Sequence, residues 1–276
     1  MDHAPPISVL MPAYNAEKYI GTAIESILDQ TFADFEFIII DDCSTDGTWK
    51  IIQEYAKKDH RLVISKNEVN SRICKTLNKG ILMAGGKYIA RMDADDWSYR
   101  DRLEKQFILM EAHPEIGVSG GSMEVCDEKM NVLGVRRYNL TDRDIRRKIF
   151  FYNPFCHPSI ILRTDAVKSI GLYDEYLYDA EDYDLYFRIG KQYDFGNLDD
   201  LLLKYRTGEN QVSVQRARRQ EMLTLYIRIK AVNEYDYKMN AGEKAYSLLQ
   251  FLSIFLLPSS LKIKLFNVLR NSKQEV

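Results

Sequence analysis

The chain has 276 residues, 46% hydrophobic and 28% charged, with a net charge of −2, an ordinary balance for a globular protein that buries its own core. No run approaches the ~20 apolar residues of a membrane span, the first six residues carry an acid and two prolines in place of a secretory signal, and Cys43, Cys74, Cys126 and Cys156 form no C-x-x-C pair. A membrane span, a zinc site and a disulfide framework are therefore not expected, and a cytoplasmic setting is.

From the N-terminus, strand and helix patterns alternate. Ile7–Met11 is a short apolar run, and Glu17–Leu28 places Ile20, Ala23, Ile24, Ile27 and Leu28 at helical spacing. Phe35–Ile40 is apolar except for Glu36, as a strand buried on both faces should be. Thr48–Tyr55 is a predicted helix, Leu62–Ser65 a strand, Ile73–Met83 a helix ended by Gly85-Gly86, and Tyr88–Met92 a strand. This β-α-β-α-β-α-β order predicts an α/β fold with a mostly parallel sheet flanked by helices. Beyond it, Arg102–Ala112 and Asp182–Lys191 are predicted helices, and Gly117–Val125, Ile160–Arg163 and Leu201–Tyr205 predicted strands. From about Gln215 the pattern is helical to the end, which divides the chain into a domain at 1–213 and a C-terminal helical appendage at 214–276.

Open α/β sheets bind ligands beyond the carboxyl ends of their strands. The first predicted strand is followed by Pro12-Ala13-Tyr14-Asn15, the second by Asp41-Asp42 and the fourth by Asp93-Ala94-Asp95-Asp96. Helix capping accounts for Ser44 or Asp46 but does not need three acids within four residues. Crowded carboxylates repel and want a cation. With no His or Cys beside them, that cation should be hard, Mg²⁺ or Mn²⁺, and Mg²⁺ usually takes one or two carboxylates together with substrate phosphates. Neither G-x-x-x-x-G-K-[ST] nor G-x-G-x-x-G occurs, so a P-loop enzyme and a standard dinucleotide dehydrogenase are excluded.

Three ordered segments, Val9–Asn15, Ile40–Thr48 and Ala90–Asp96, resemble the family 2 inverting glycosyltransferases of the GT-A fold, a Rossmann-like nucleotide-diphospho-sugar transferase architecture. The resemblance covers roughly residues 7–213. It implies that Pro12, Ala13, Tyr14, Asn15 and Asp42 bind the nucleotide, Tyr14 and Asp42 gripping its base. It places Arg72 near the diphosphate and Asp93 and Ala94 along the nucleotide, and gives the metal to Asp95 and Asp93; Asp96 is expected to cap the following turn. It implies a catalytic base in Glu181-Asp182, with Asp182 the candidate, against the plain alternative that Asp182 only favours a helix start. His157, in Pro154–Ser159, and Asp184 are assigned to the acceptor side. The chain departs from the family at Cys43, where many relatives have Gly, and at Tyr205-Arg206-Thr207-Gly208, which lacks a His that many relatives carry.

The implied activity is transfer of a sugar from a nucleotide-diphosphate sugar, a UDP-sugar by resemblance, to a saccharide or lipid-linked acceptor in surface polysaccharide synthesis. Alternatives are a nucleotidyltransferase making a nucleotide sugar, which would bring a Gly-rich basic loop after the first strand, and a non-catalytic regulator of the same fold. Residues 214–276 hold 11 Lys and Arg against 5 Asp and Glu, a net +6, while the rest of the chain is acidic and shows no basic stripe for nucleic acid. The stretch from Tyr246 to Leu257 is rich in Leu and Phe, and Lys262 and Lys264 follow Pro258 among apolar residues. Two readings fit this segment: helices folded onto the domain or making a homodimer, and docking at the inner membrane face.

Overall fold

The computed structural model describes residues 4–208, 216–258 and 262. Four parallel strands, β1 (Ile7–Ala13), β2 (Phe35–Asp41), β3 (Leu62–Lys66) and β4 (Tyr88–Arg91), alternate with helices α1 (Ile20–Leu28), α2 (Thr48–Ala56) and α3 (Arg72–Met83). The two central strands are buried on both faces, and alternate residues serve opposite cores. Ile7, Val9, Met11, Phe37 and Ile39 face α1 and α2. Leu10, Ile38 and Ile40 face α3 with Leu77 and Ile81. Gly80 permits that second contact, because a Cβ there would lie 2.1 Å from Cδ1 of Leu10. The one acid inside the β2 run, Glu36, accepts from the Ser8 hydroxyl at 2.6 Å and the Gly85 N–H at 2.8 Å.

The sheet order is β3-β2-β1-β4-β8-β6-β9-β5, with β7 paired to β6. The added strands are β5 (Trp97–Ser98), β6 (Ile116–Cys126), β7 (Val132–Arg136), β8 (Ile161–Arg163) and β9 (Asp194–Arg206). Strand β8 runs antiparallel to both β4 and β6, so the sheet is mixed beyond its parallel half. Because β1 lies between β2 and β4, a crevice opens at their carboxyl ends, where the order reverses. Helices α4 (Arg102–Ala112), α5 (Asp142–Lys148), α6 (Thr164–Ser169) and α7 (Glu181–Ile189) complete the main body. Strands β5 and β7 and helices α5 and α6 were not expected, being too short to show a period. Strand β9 begins seven residues before the expected start, since Gly196 and Asn197 interrupt its pattern.

Two further helices follow, α8 (Ala217–Glu234) and α9 (Ala241–Leu256). Ile227 and Ala231 of α8 are fully buried in the same cluster as Tyr183 and Phe187 of α7. Buried Arg228 ties three elements together, donating to Tyr183 Oη (3.2 Å), to Gln250 Oε1 of α9 (2.8 Å) and to the Phe151 carbonyl (3.4 Å). The expected boundary at 213/214 thus separates elements that share one core, and α8 is no loose appendage. Helix α9 packs inside out: Glu243 and Ile254 are buried and Ser247 and Gln250 half-buried, while Leu248, Leu249, Leu252, Phe255 and Leu256 are exposed. No described helix is long and apolar enough to cross a membrane. Of the Lys-Leu mixture expected after Pro258, only Lys262 lies within the described residues; it pairs with Glu221 at 2.5 Å.

Candidate active site

Three loops meet at the crevice. Beyond β1, Tyr14 is half exposed, and Pro12 and Ala13 are buried in the strand end. Asn15 takes a left-handed backbone (φ 48°) and knits the loop to its neighbour. Its N–H donates to Ser44 Oγ at 2.9 Å, and its Oδ1 accepts from the Thr45 N–H at 2.9 Å. Beyond β2, Asp41 is fully buried with Oδ2 3.5 Å from Lys66 Nζ. Asp42 binds the approach to α3: it accepts from Asn67 Nδ2 and from the Ser71 and Arg72 N–H groups, each at 2.8 Å. Those amides are among the unpaired donors of a helix start. Asp42 therefore shapes the pocket wall that includes Arg72, whose guanidinium lies 4.4 Å from the Tyr178 ring centre.

Beyond β4, Asp93, Asp95 and Asp96 bring carboxylate oxygens within 4.8 Å of one another. Burial, then the adjacent Asp93 charge, pushes Asp95 up to about 6. Burial, then Asp95 and Asp93, pushes Asp96 well above the carboxylate range. Asp96 was expected to cap the following turn; instead Oδ1 accepts from the Arg206 N–H of β9 at 2.9 Å, and Oδ2 is buried without a hydrogen-bond partner. Arg206 also donates from Nε to the Asp95 carbonyl at 2.7 Å, so β9 pins the acidic loop through the residue following Tyr205. An orphaned oxygen among crowded acids fits a hard divalent cation. Asp93 is differently placed, gripped by both Nη atoms of buried Arg91 at 2.7 and 2.5 Å. Asp95 and Asp96 are thus the members of the cluster not committed to a guanidinium side-chain pair.

Arg91 links this cluster to the second acidic group. Its charge reaches Glu181, Asp182 and His157. Burial, then the Asp182 charge, pushes Glu181 up to about 8. Burial also raises Asp182, but Asn153 Nδ2 (2.5 Å) and the Tyr183 N–H (2.7 Å) both donate to it and favour its charged form. The pair therefore keeps its proton on Glu181 and its negative charge on Asp182. His157 bonds Tyr173 Oη through Nε2 at 2.8 Å; burial, then Arg91, holds the imidazole well below its ordinary value, so the ring is neutral.

Comparison with known proteins gives the family of the chain. Residues 8–171 match the family described as Glycosyl transferase family 2. The chain belongs to that family. This transferase is 34% identical to an uncharacterized glycosyltransferase of Methanocaldococcus jannaschii, over 99% of its own length and 96% of the relative's. It is 34% identical to the amylovoran biosynthesis glycosyltransferase AmsE of Erwinia amylovora, over 76% of this chain and 79% of that one. Its fold matches S. aureus TarS 1-349 in complex with UDP-GlcNAc, with a TM-score of 0.66 and 22% identity, covering 90% of this chain and 81% of that one. The transferase has the GT-A fold.

In the transferase, Tyr14, Asn15, Asp42, Arg72, Asp93, Asp95, Glu181, Asp182 and His157 lie on loops or helix starts around the crevice, and Ala94 is buried within the acidic loop. Asp184 does not join them. It is fully buried on the other side of α7, bonded to Arg188 Nε (2.7 Å), Lys230 Nζ (3.2 Å) and Tyr235 Oη (2.9 Å). Residues two apart on a helix do not share a face, so its assignment to the acceptor side is corrected to a tie between α7 and α8. The sequence reading missed Arg91, Asn153 and Arg206 as site residues. Arg91 could have been noticed as a cation two residues before the acids; Asn153 carries no local signal.

Proposed function

We propose that this glycosyltransferase moves a sugar from a UDP-sugar, with inversion, to a hydroxyl of a saccharide or lipid-linked acceptor in surface polysaccharide synthesis. The observation that carries the reading is the pair of acidic groups, Asp93–Asp96 and Glu181-Asp182, on either side of Arg91 at one sheet rim. A divalent ion held by Asp95, with Asp96 or Asp93, would offset the charge gained by the leaving diphosphate. In a single displacement the anomeric C–O bond to the diphosphate breaks as the acceptor oxygen bonds the same carbon from the opposite face. The hydroxyl proton passes to an Asp182 carboxylate oxygen, which Asn153 orients. Neutral Glu181 adds no second charge beside it. Tyr14 and the loop held by Asp42 receive the base, and the sugar bound for transfer lies between the two acid groups.

The relative's role in amylovoran biosynthesis and the UDP-GlcNAc in the TarS crystal support the substrate class. The outward apolar face of α9, within a segment of net +6, supports docking at an anionic membrane that presents a lipid-linked acceptor. The test is a donor screen that follows nucleotide release with and without membrane extract. Turnover of a UDP-sugar that rises with extract is expected; release of pyrophosphate from a nucleotide triphosphate and sugar phosphate would favour the nucleotidyltransferase reading instead.

A further inference from the structure

The segment before α7 brings arginines from two distant parts of the chain onto one ring. Arg72, at the start of α3, lies 4.4 Å from the centre of Tyr178, and Arg219, in the first turn of α8, lies 3.6 Å from it. Arg219 also donates to the Tyr178 hydroxyl. That bond, and more weakly the Arg72 charge, lowers the Tyr178 phenol. Asp179 pairs with Arg216 at 3.1 Å and Arg219 at 3.2 Å, and among the described residues Arg72 has no carboxylate within 4.0 Å. Two guanidiniums thus share one acid, and a third, that of Arg72, lies against the Tyr178 ring without one among the described residues.

This gathering of charge runs against local preference. Arg72 and Arg219 both stand at helix starts, where the dipole disfavours a cation. Arg72 and Asp179 both have left-handed backbones, φ 66° and 90°, in residues other than glycine. Strain and like charge held in one place signal a ligand that offsets them. A cleft of about 390 Å³ opens beside the stack, its lining including Asn70, Ser71, Arg72, Tyr178 and Lys75, the last paired with Glu175 of the same wall at 3.8 Å. Its place in the chain fixes what it meets. Asp42 holds the Arg72 amide, and Tyr178 precedes Glu181 by three residues, so the stack lies between the loop that receives the base and the acid pair.

We propose that Arg72 and Arg219 form a clamp for a diphosphate group, so that α8, beyond the family-matched region, completes the substrate site. The inference rests on the nucleotide-diphosphate donor reading above. The diphosphate could belong to the donor or to an isoprenoid diphosphate carrying the acceptor, and both supply the same chemistry. Paired guanidiniums suit it because each presents a planar fork of donors to phosphate oxygens.

Calorimetry on the full chain with Mn²⁺ would compare UDP, uridine (in competition) and farnesyl diphosphate, for wild type, Arg219→Gln and Asp179→Asn. Arg219→Gln should weaken one diphosphate roughly tenfold, the size of a lost charge-assisted bond, and leave uridine unchanged; whichever diphosphate responds is the source. Asp179→Asn, which loosens the same tether but keeps the cations, should bind that diphosphate as well as wild type or better. Unchanged affinity of Arg219→Gln for both diphosphates would overturn the clamp. So would an equal loss in Asp179→Asn, because Arg219 would then act only by anchoring α8. A wild-type chain that binds farnesyl diphosphate but not UDP would end the donor reading while leaving the clamp standing; binding of neither diphosphate would end both.

Discussion

At the start of α7, Asp182 and Glu181 divide one proton between them because Asp182 receives the Asn153 side-chain amide as well as a backbone N–H, whereas Glu181 accepts from backbone N–H groups alone and is raised further by burial. Asp182→Asn keeps the volume and removes the proton acceptor. UDP affinity should stay within about twofold while turnover falls ~10²–10⁴-fold; wild-type turnover in this variant would reduce Asp182 to a helix-start residue. Glu181 makes a prediction about stability. Its value near 8 in the folded chain, against 4.5 for the ordinary group, means that folding favours the protonated form. The folded state is therefore penalised increasingly as pH rises from about 4.5 to 8, where the unfolded chain ionises and Glu181 does not. Glu181→Gln removes that penalty, on the order of 3 kcal/mol at pH 7. Urea denaturation should show the variant more stable than wild type at pH 7 and equal to it at pH 4. An advantage of the same size at both pH values would contradict the assignment of the proton.

Among the elements, the parallel half of the sheet is legible in the sequence because strands buried on both faces must be apolar throughout, and the acids stand out because they interrupt that pattern at strand ends. What is not legible depends on direction. Asp182 and Asp184 share one short motif, yet the helix turns one toward the crevice and the other into a fully buried tie with Lys230 and Tyr235. Apolar counting flags α9 but does not reveal that Ser247 and Gln250 turn inward to Arg228. Arg91 and Arg206 act on atoms fixed only by tertiary contact. The packing of α8 gives a test at this scale. Ile227 is fully buried against the α7 side of the core, so Ile227→Ala should cost about 2–5 kcal/mol. Because α8 shares that core, the whole chain should still unfold in one denaturant transition, at a lower midpoint. A separate early transition that leaves the main one unmoved would show that residues 214–276 fold as an independent unit.

For the whole molecule, the proposed membrane docking turns on the outward apolar face of α9. Leu249, Leu252 and Phe255 lie at 65%, 45% and 69% exposure, so Leu252→Asp with Phe255→Asp should leave the fold intact. Attraction to anionic lipid is worth about 1 kcal/mol for each Lys or Arg near the surface and weakens with salt. Wild type should co-sediment with anionic liposomes at low salt, and the double variant should remain in the supernatant. If the wild-type chain stays in the supernatant too but elutes as a dimer that the variant abolishes, the face is a self-association surface. The proposed sugar transfer rests first on the acidic loop beyond β4, where an orphaned Asp96 oxygen sits beside Asp95. The most direct measurement is calorimetric titration of the full chain with UDP, in Mn²⁺ and in EDTA, for wild type and Asp95→Asn. Tight binding that requires Mn²⁺ and is lost in Asp95→Asn is the predicted result; equal UDP affinity in Mn²⁺ and EDTA would contradict a metal-assisted transferase built on this loop.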